Sequence, residues 1–302
     1  MSQNLEELTH ALILAAKKAG ADAVDAMAVK GTALSIDVRN GVLEQAERSE
    51  GIDIGLRVFA GNRQACVSSS NTSQQTIDAM CERAIAMARE APEDIYAGLA
   101  DADMLADVNN AAGLELSDPS DEPDPAALQE DAMAAEAAAM SKAGISQVQS
   151  ASGGYSAREV HLAASNGFSG GYKRTDRAIS CVAIGGTGAE MERDYDGDSR
   201  IFQSDLRAAA DIGACAADRA LERMGARKPP TGSYPVLFDE RISSTIVGHL
   251  LSAINGASIA RGSSWLRDAL GTQILPEHLS LIEDPHRKRV PGSRYFDAEG
   301  LA

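Results

Sequence analysis

Asn40-Gly41 and Asn166-Gly167 stand 126 residues apart, each between runs of strand-forming residues, IDVR and VLEQA in the first case. Both residue types tolerate positive φ, which a two-residue hairpin turn requires, so each pair commits its flanks to an antiparallel hairpin. Gly61-Asn62, between GLRVFA and RQACV, adds a further strand to the first hairpin and gives a strand-rich stretch from Ala23 to Ser69. Helices bracket it. Asn4 to Gly20 reads as a capped helix in which Asn4 accepts from the amide of Glu7, Leu5, Leu8 and Leu12 share a face, and Gly20 supplies the left-handed stop. From about Ser73 to Arg89, Ile77, Met80, Cys81, Ala84, Ile85 and Ala88 recur at helical spacing, which places Cys81 in a core rather than at a reactive site.

The same order follows again. Acidic SDPSDEPDP (Ser117 to Pro125) reads as a solvated linker that ends in a helix start, with Asp124 as cap and Pro125 in the first turn. A helix from Ala126 to Ala143 stops at Gly144, strands follow around Asn166-Gly167, and a helix from about Phe202 to Met224 packs through Phe202, Leu206, Ile212, Ala216 and Leu221. Two similar α+β halves, 4–90 and 124–224, are therefore expected in one N-terminal domain of residues 1–226. Hairpin turns and amphipathic helices are also common enough to align by chance.

Charge narrows the partners. Twenty-eight Lys plus Arg face 44 Asp plus Glu, a formal net charge of −16 that repels phosphate backbones and anionic lipid. The polar, acidic start and the short apolar stretch ending in Lys17 and Lys18 do not make a signal peptide, and no apolar run has the roughly 18 residues of a membrane span. Cys66, Cys81, Cys181 and Cys215 form no CxxC pair, so four reduced thiols in a cytoplasmic protein are expected.

Gly225 to Pro235 (GARKPPTGSYP) is the best boundary, since two prolines and a glycine stop the preceding helix. Beyond it, Pro235 to Phe238 reads as a strand, and Asp239 can cap a helix carrying Ile242, Ile246, Val247, Leu250, Leu251 and Ile254. That helix is apolar on two sides and so is expected to be buried.

The blocks RNGVLEQAERSEGIDIGLRVFAGNRQACVSSS (Arg39 to Ser70), ISSTIVGHLLSAINGASIARGSSWLRDALGTQI (Ile242 to Ile274) and IEDPHRKRVPGSRYFDAEG (Ile282 to Gly300) resemble the TldD/PmbA family, specifically its PmbA (TldE) branch. The resemblance runs in order along nearly the whole chain. It implies a cytoplasmic protein that pairs with TldD in a heterodimeric zinc protease, the TldD-type subunit carrying an HExxxH zinc motif. It also implies an association with maturation of peptide antibiotics, degradation of a labile antitoxin and the older label of gyrase modulator.

Carried over residue by residue, that motif falls on Ser244-Thr245-Ile246-Val247-Gly248-His249; the last three match and the first His and the Glu are absent. Zinc hydrolysis needs imidazole or carboxylate ligands and a carboxylate to take the proton from bound water. A Ser hydroxyl is a poor ligand, and a Thr hydroxyl is no base near neutral pH. No catalytic, cofactor-binding or metal-binding residue is therefore assigned to this chain, and zinc is expected in the partner subunit. His249 can be a leftover ligand or a substrate contact; its place on an apolar helical face favours a hydrogen-bonded core histidine. His278 and His286 fall in polar loops, and His10 and His161 have no second ligand at metal spacing.

Weaker patterns read as structure. Gly185-Gly186-Thr187-Gly188 lacks the Lys-Ser/Thr of a phosphate loop and reads as a bulge or hairpin bend. Asp194-Tyr195-Asp196-Gly197-Asp198 lacks the sixth-position Gly and closing Glu of a calcium loop and reads as a turn. Ser68-Ser69-Ser70 has no base beside it in sequence, and His286-Arg287-Lys288-Arg289 reads as a solvated basic loop.

An α+β fold is expected, with two helix–meander–helix halves in the N-terminal domain. The resemblance implies that residues 234–302 are the start of a β-rich C-terminal domain that is incomplete here, whether the sequence is a fragment or the domain is curtailed, and the unpaired edges of such a domain would lower solubility. The expected function is that of a non-catalytic PmbA/TldE-like subunit acting with a TldD-like protease subunit on peptides or unfolded proteins, without direct nucleic-acid or membrane binding. The alternatives are a stand-alone hydrolase using Ser68, Cys66 or Cys181 as nucleophile, and a peptide-binding adaptor.

Overall fold

The computed structural model describes residues 4–107 and 113–301. Both Asn-Gly pairs are hairpin turns. Asn40 and Gly41 have φ of 55° and 71°, and Gly167 has φ of 104°. Helix α1 (Leu5–Lys18) leads into β1 (Ala23–Arg39), β2 (Val42–Ala60), β3 (Arg63–Ser69) and α2 (Gln74–Glu90); then α3 (Pro125–Met140) leads into β4 (Ile145–Ala164), β5 (Ser169–Gly185), β6 (Glu192–Arg200) and α4 (Ala209–Glu222). Helix, three-stranded meander, helix occurs twice. The six strands form one antiparallel sheet in the order β3-β2-β1-β4-β5-β6, so the two first strands meet at its centre, from Asp25↔Ala164 to Val38↔Ala151.

The helices share one face of this sheet. Strand residues alternate sides, and the even positions of β1 and β2 point to the helices: Val24, Ala26, Ile54 and Val58 pack with Leu12 of α1 and Ile77, Cys81 and Ala84 of α2. Leu34 and Ile36 pack instead with Leu128 and Ala132 of α3, Ala151 and Cys181 of the sheet, and Ile212 and Ala216 of α4. Small side chains let the second set approach closely. A Cβ on Gly153 would lie 2.4 Å from the carbonyl oxygen of Leu128, and one on Gly213 would lie 1.9 Å from that of Ala135.

Helix starts follow the sequence closely. Asn4 caps α1, accepting from the amide of Glu6 rather than of Glu7 as expected; Ser73 caps α2, and Asp124 with Pro125 opens α3. The Ser117–Pro125 segment is only partly solvated, because Asp118 accepts from Gln203 N and donates its own N–H to Thr175. Buried Glu136 of α3 accepts from the amides of Asn40 and Gly41 at 2.6 and 2.7 Å, so a helix of the second half holds the turn of the first.

Two expectations fail in the second half. Asp194 to Asp198 is not a turn but lies on β6, and the last helix begins at Ala209, with Phe202 to Leu206 in a short 3-10 turn. The strand is hidden in the sequence because its inward positions, Asp194 and Asp196, are charged. Asp196 accepts from Arg207 and Arg219, the latter at 2.6 Å, and Asp194 lies 3.6 Å from Arg223. Burial works against the Asp196 charge, but the Arg207 hydrogen bond and the two guanidinium charges outweigh it and hold its carboxyl below the usual range.

The chain divides into two compact units, one of residues 1–226 with 284–302 and one of residues 227–283. The returning end of the first unit sets Phe296 edge-on against Phe168 and pairs Leu301 with Leu105 across a β-bridge. Lys288 and Arg289, expected in a solvated loop, both pair with Glu115, and Arg289 lies over the Phe202 ring at 3.8 Å. The second unit holds α5 (Glu240–Ala253) and α6 (Gly256–Ala260). Residues 235–238, expected as a strand, have no regular structure, and among the described residues of 227–283 there is no strand.

Gly213→Ala should destabilise the fold by about 3 kcal/mol or more, since backbone must move to admit the methyl, whereas Gly51→Ala, which meets nothing within 4 Å, should stay within about 0.5 kcal/mol of the parent. Chemical denaturation of the two variants checks this. Asp196→Asn should cost about 2 kcal/mol at neutral pH. A depressed carboxyl stabilises above its unfolded value of about 4 and loses that effect as pH falls through its folded value, so parent and variant should converge in melting temperature in acid.

Candidate functional site

Asp239 caps α5 by accepting from Arg241 N at 3.0 Å, and the helix carries Ser244, Thr245 and His249. All three are exposed. The expectation of a buried helix with a core histidine is corrected here: of the α5 residues only Ala253 is buried, while Ile242, Ile246 and Leu251 are each half exposed. Two apolar faces need cover on both sides, and within its own unit α5 is accompanied only by the five-residue α6 and irregular chain. What the unit does form is an open, largely apolar cleft of about 640 Å³ lined by Leu250, Ile254, Ile274, Leu275, Leu279 and Leu281.

The donor set on α5 does not fit a catalytic zinc. Ser244 and Thr245 offer neutral hydroxyls, neither good zinc ligands nor bases near neutral pH, which leaves the one imidazole of His249. Among the described residues, no group of three or more His, Cys, Asp or Glu could hold a metal ion. His161 is committed elsewhere: its Nδ1 lies 2.9 Å from Thr9 Oγ1, and burial lowers its pKa. His10 lies edge-on to it, with ring centroids 6.3 Å apart. His278 and His286 are exposed, as expected.

The nucleophile candidates separate. Cys181 is buried, and burial pushes its thiol up to about 12; Cys81 is pushed to about 11 by the same cause. Both are inert core residues. Cys66 and Ser68 sit on β3 at the rim of a cleft of about 510 Å³, on the sheet face away from the helices, with Met27, Leu162, Asp25, Arg57 and Glu299. No imidazole or ammonium hydrogen-bonds either residue among those described, so the base a nucleophile needs is not in place there.

The charged group in this cleft was not visible in the sequence. Arg57 donates to Asp25 through Nε and Nη2 at 2.8 and 2.5 Å and to Glu299 through Nη1 at 2.8 Å. Burial raises the Asp25 pKa against the opposing effect of Arg57. Its members lie on β1, on β2 and near the end of the chain, and no sequence pattern links residues so far apart.

Comparison with known proteins agrees with this architecture. Models of the PmbA/TldA metallopeptidase match residues 24–88 (domain 1), 118–224 (central domain) and 231–302 (C-terminal domain). Together these matches define a chain of the PmbA/TldA metallopeptidase class. The chain belongs to the PmbA/TldD family. It is 33% identical over 98% of its length to metalloprotease PmbA of Escherichia coli O157:H7 and 31% identical over 99% to a PmbA homolog of Haemophilus influenzae, spanning 65% and 66% of their respective lengths. Its structure is similar, with a TM-score of 0.89 at 25% identity over 98% of this chain and 68% of the other, to a candidate modulator of DNA gyrase from Bacteroides thetaiotaomicron. TldE from Thermococcus kodakarensis shares the fold, with a TM-score of 0.71 at 18% identity over 97% of this chain and 65% of that one.

Thiol chemistry checks the site assignment. At pH 8 a thiol of pKa near 11 is ionised to roughly one part in a thousand, so a maleimide or iodoacetamide should label exposed Cys66 readily and leave Cys81 and Cys181 unmodified until the protein is unfolded. Peptide mapping by mass spectrometry reads the order.

Proposed function

We propose that this chain acts as the non-catalytic, PmbA/TldE-like subunit of a cytoplasmic, heterodimeric zinc metalloprotease that cleaves peptides or unfolded proteins. The TldD-like partner subunit carries the intact HExxxH motif and the zinc. The observation that supports this reading best is the state of α5: the helix onto which the resemblance carries the family's motif is capped and exposed, and it holds Ser244 and Thr245 where that motif would have a ligand and the general base. The relatives' shared name, metalloprotease PmbA, gives the class of chemistry. The acidic surface favours polypeptide over nucleic acid as the target. No helix among the described residues is long and apolar enough to cross a membrane.

Cleavage of an unfolded protein should be absent with this chain alone and should appear when it is mixed with a partner carrying an intact HExxxH, with loss of activity on adding a chelator. Activity from this chain alone, insensitive to chelator, would sink the reading and point to Cys66 or Ser68. Peptide affinity with no gain of cleavage in any mixture would favour the adaptor. Elemental analysis after dialysis should find no stoichiometric zinc on the isolated chain, and one tightly held zinc per chain would contradict the assignment of Ser244 and Thr245.

A further inference from the structure

The outer edge of β2 is open over more than half the strand. β3 pairs only with Ile54 to Ala60, so among the described residues nothing pairs with the outer side of 42–53, and residues 42–51 are exposed throughout. This arm is nonetheless held firmly. Its inner side pairs with β1 along its length, and its tip is fixed by Glu136. The backbone groups available on the open side follow from the register. A two-residue turn is closed by a doubly hydrogen-bonded pair, here Ala60 and Arg63, so Ala60, Val58, Leu56 and Ile54 direct their N–H and C=O groups toward β3. The β1–β2 register is unbroken from Phe59 to Gln45, so the same alternation makes Ile52, Glu50, Arg48 and Ala46 direct theirs outward.

The second half shows what such an edge holds. There β5 takes the place of β2, and β6 covers only Arg177 to Gly185. Beside the remainder of β5 lies an extended stretch of the chain itself: Thr175 N donates to Leu116 O at 3.1 Å, and Asp118 N donates to the Thr175 hydroxyl at 2.8 Å. Among the described residues the edge of β2 has no such cover.

We propose that the edge at Ala46 to Ile52 binds the polypeptide substrate as an added strand, recognising an extended, basic peptide through its backbone. This rests on the reading above that the protein acts on peptides. The charge of the arm selects the sign, since Glu44, Glu47, Glu50 and Asp53 stand against the single Arg48. Its make-up argues against a folded subunit as occupant: a stable subunit interface has an apolar core, whereas the apolar residues of this arm, Val42, Leu43 and Ile52, lie near its ends with charged and small residues between. Backbone pairing on a strand with both faces open also imposes little sequence preference, as suits a binder of unfolded chains.

The test uses the full chain and a fluorescein-labelled decapeptide of alternating Val and Lys, followed by anisotropy. Ala46→Pro and Glu50→Pro each remove one outward donor, a change that edge strands tolerate, and should weaken binding about tenfold while melting with the parent. The same decapeptide with alternate backbone nitrogens methylated should lose binding without any change to the protein, and a Val/Glu decapeptide should bind more weakly. The proposal is overturned if the unmodified probe does not bind, if the methylated probe binds as tightly, or if the proline variants fold and bind like the parent. It is also overturned if those variants fail to assemble with a TldD-like partner, since a subunit would then be the occupant. Loss of probe binding alongside intact cleavage by the mixed subunits would remove this edge and leave the proposed function standing. Edge-specific binding without cleavage would do the reverse.

Discussion

The antiparallel pairing of β1 with β4 is the contact on which the rest of the first unit depends. It joins the two meanders into one sheet, and because both central strands are long and cross the whole sheet, it sets where each half can place its helices. α1 and α2 cover the end of β1 that carries Val24 to Ala28, and α3 and α4 cover the end that carries Leu34 to Val38. A slip of one residue in this register would turn both rows to the opposite face and expose two cores at once. Glu136 adds a second tie between the halves, since its carboxylate saturates two amides of a turn that belongs to the other meander.

Packing beneath the second half works by close approach rather than by bulk. Alanines on α3 and α4 and the glycines at 153 and 213 bring helix backbone against helix and sheet, so dispersion contacts are dense although the chain has few aromatic residues. The cost appears at the sheet edge, where β6 presents Asp194 and Asp196 inward. Arginines from α4 and the loop before it neutralise them, so an ionic layer does there what an apolar one does elsewhere.

The chain keeps the architecture of a metallopeptidase family, while α5 presents the hydroxyls of Ser244 and Thr245, which are neither good zinc ligands nor bases near neutral pH. Its surface carries an apolar helix and cleft in the second unit, and on the first unit a cleft floored by the Asp25–Arg57–Glu299 group and a strand edge that has no partner strand among the described residues. Under the proposed function such features would hold and orient polypeptide, with no reactive group of their own. That division of labour is why the proposed function assigns the chemistry to a partner.

The hairpins, helix caps and helical stripes were legible in the sequence because each is decided by neighbours in the chain: Asn40-Gly41 by its own φ preference, α3 by Asp124 and Pro125, the burial of Cys81 by its place in a 3.6-residue pattern. The side-chain chemistry of Ser244 and Thr245 was likewise readable position by position, since it does not wait on folding. What the tertiary structure decided involves residues distant in sequence. The inward carboxylates of β6 are met by Arg219 of α4 and by Arg207 and Arg223 on either side of that helix, Arg57 is held between residues near opposite ends of the chain, and Arg289 leaves its basic run to pair with Glu115. The exposure of α5 and His249 belongs with these, because a two-sided apolar pattern states that a helix can be covered on both faces, and only the surrounding chain determines whether it is.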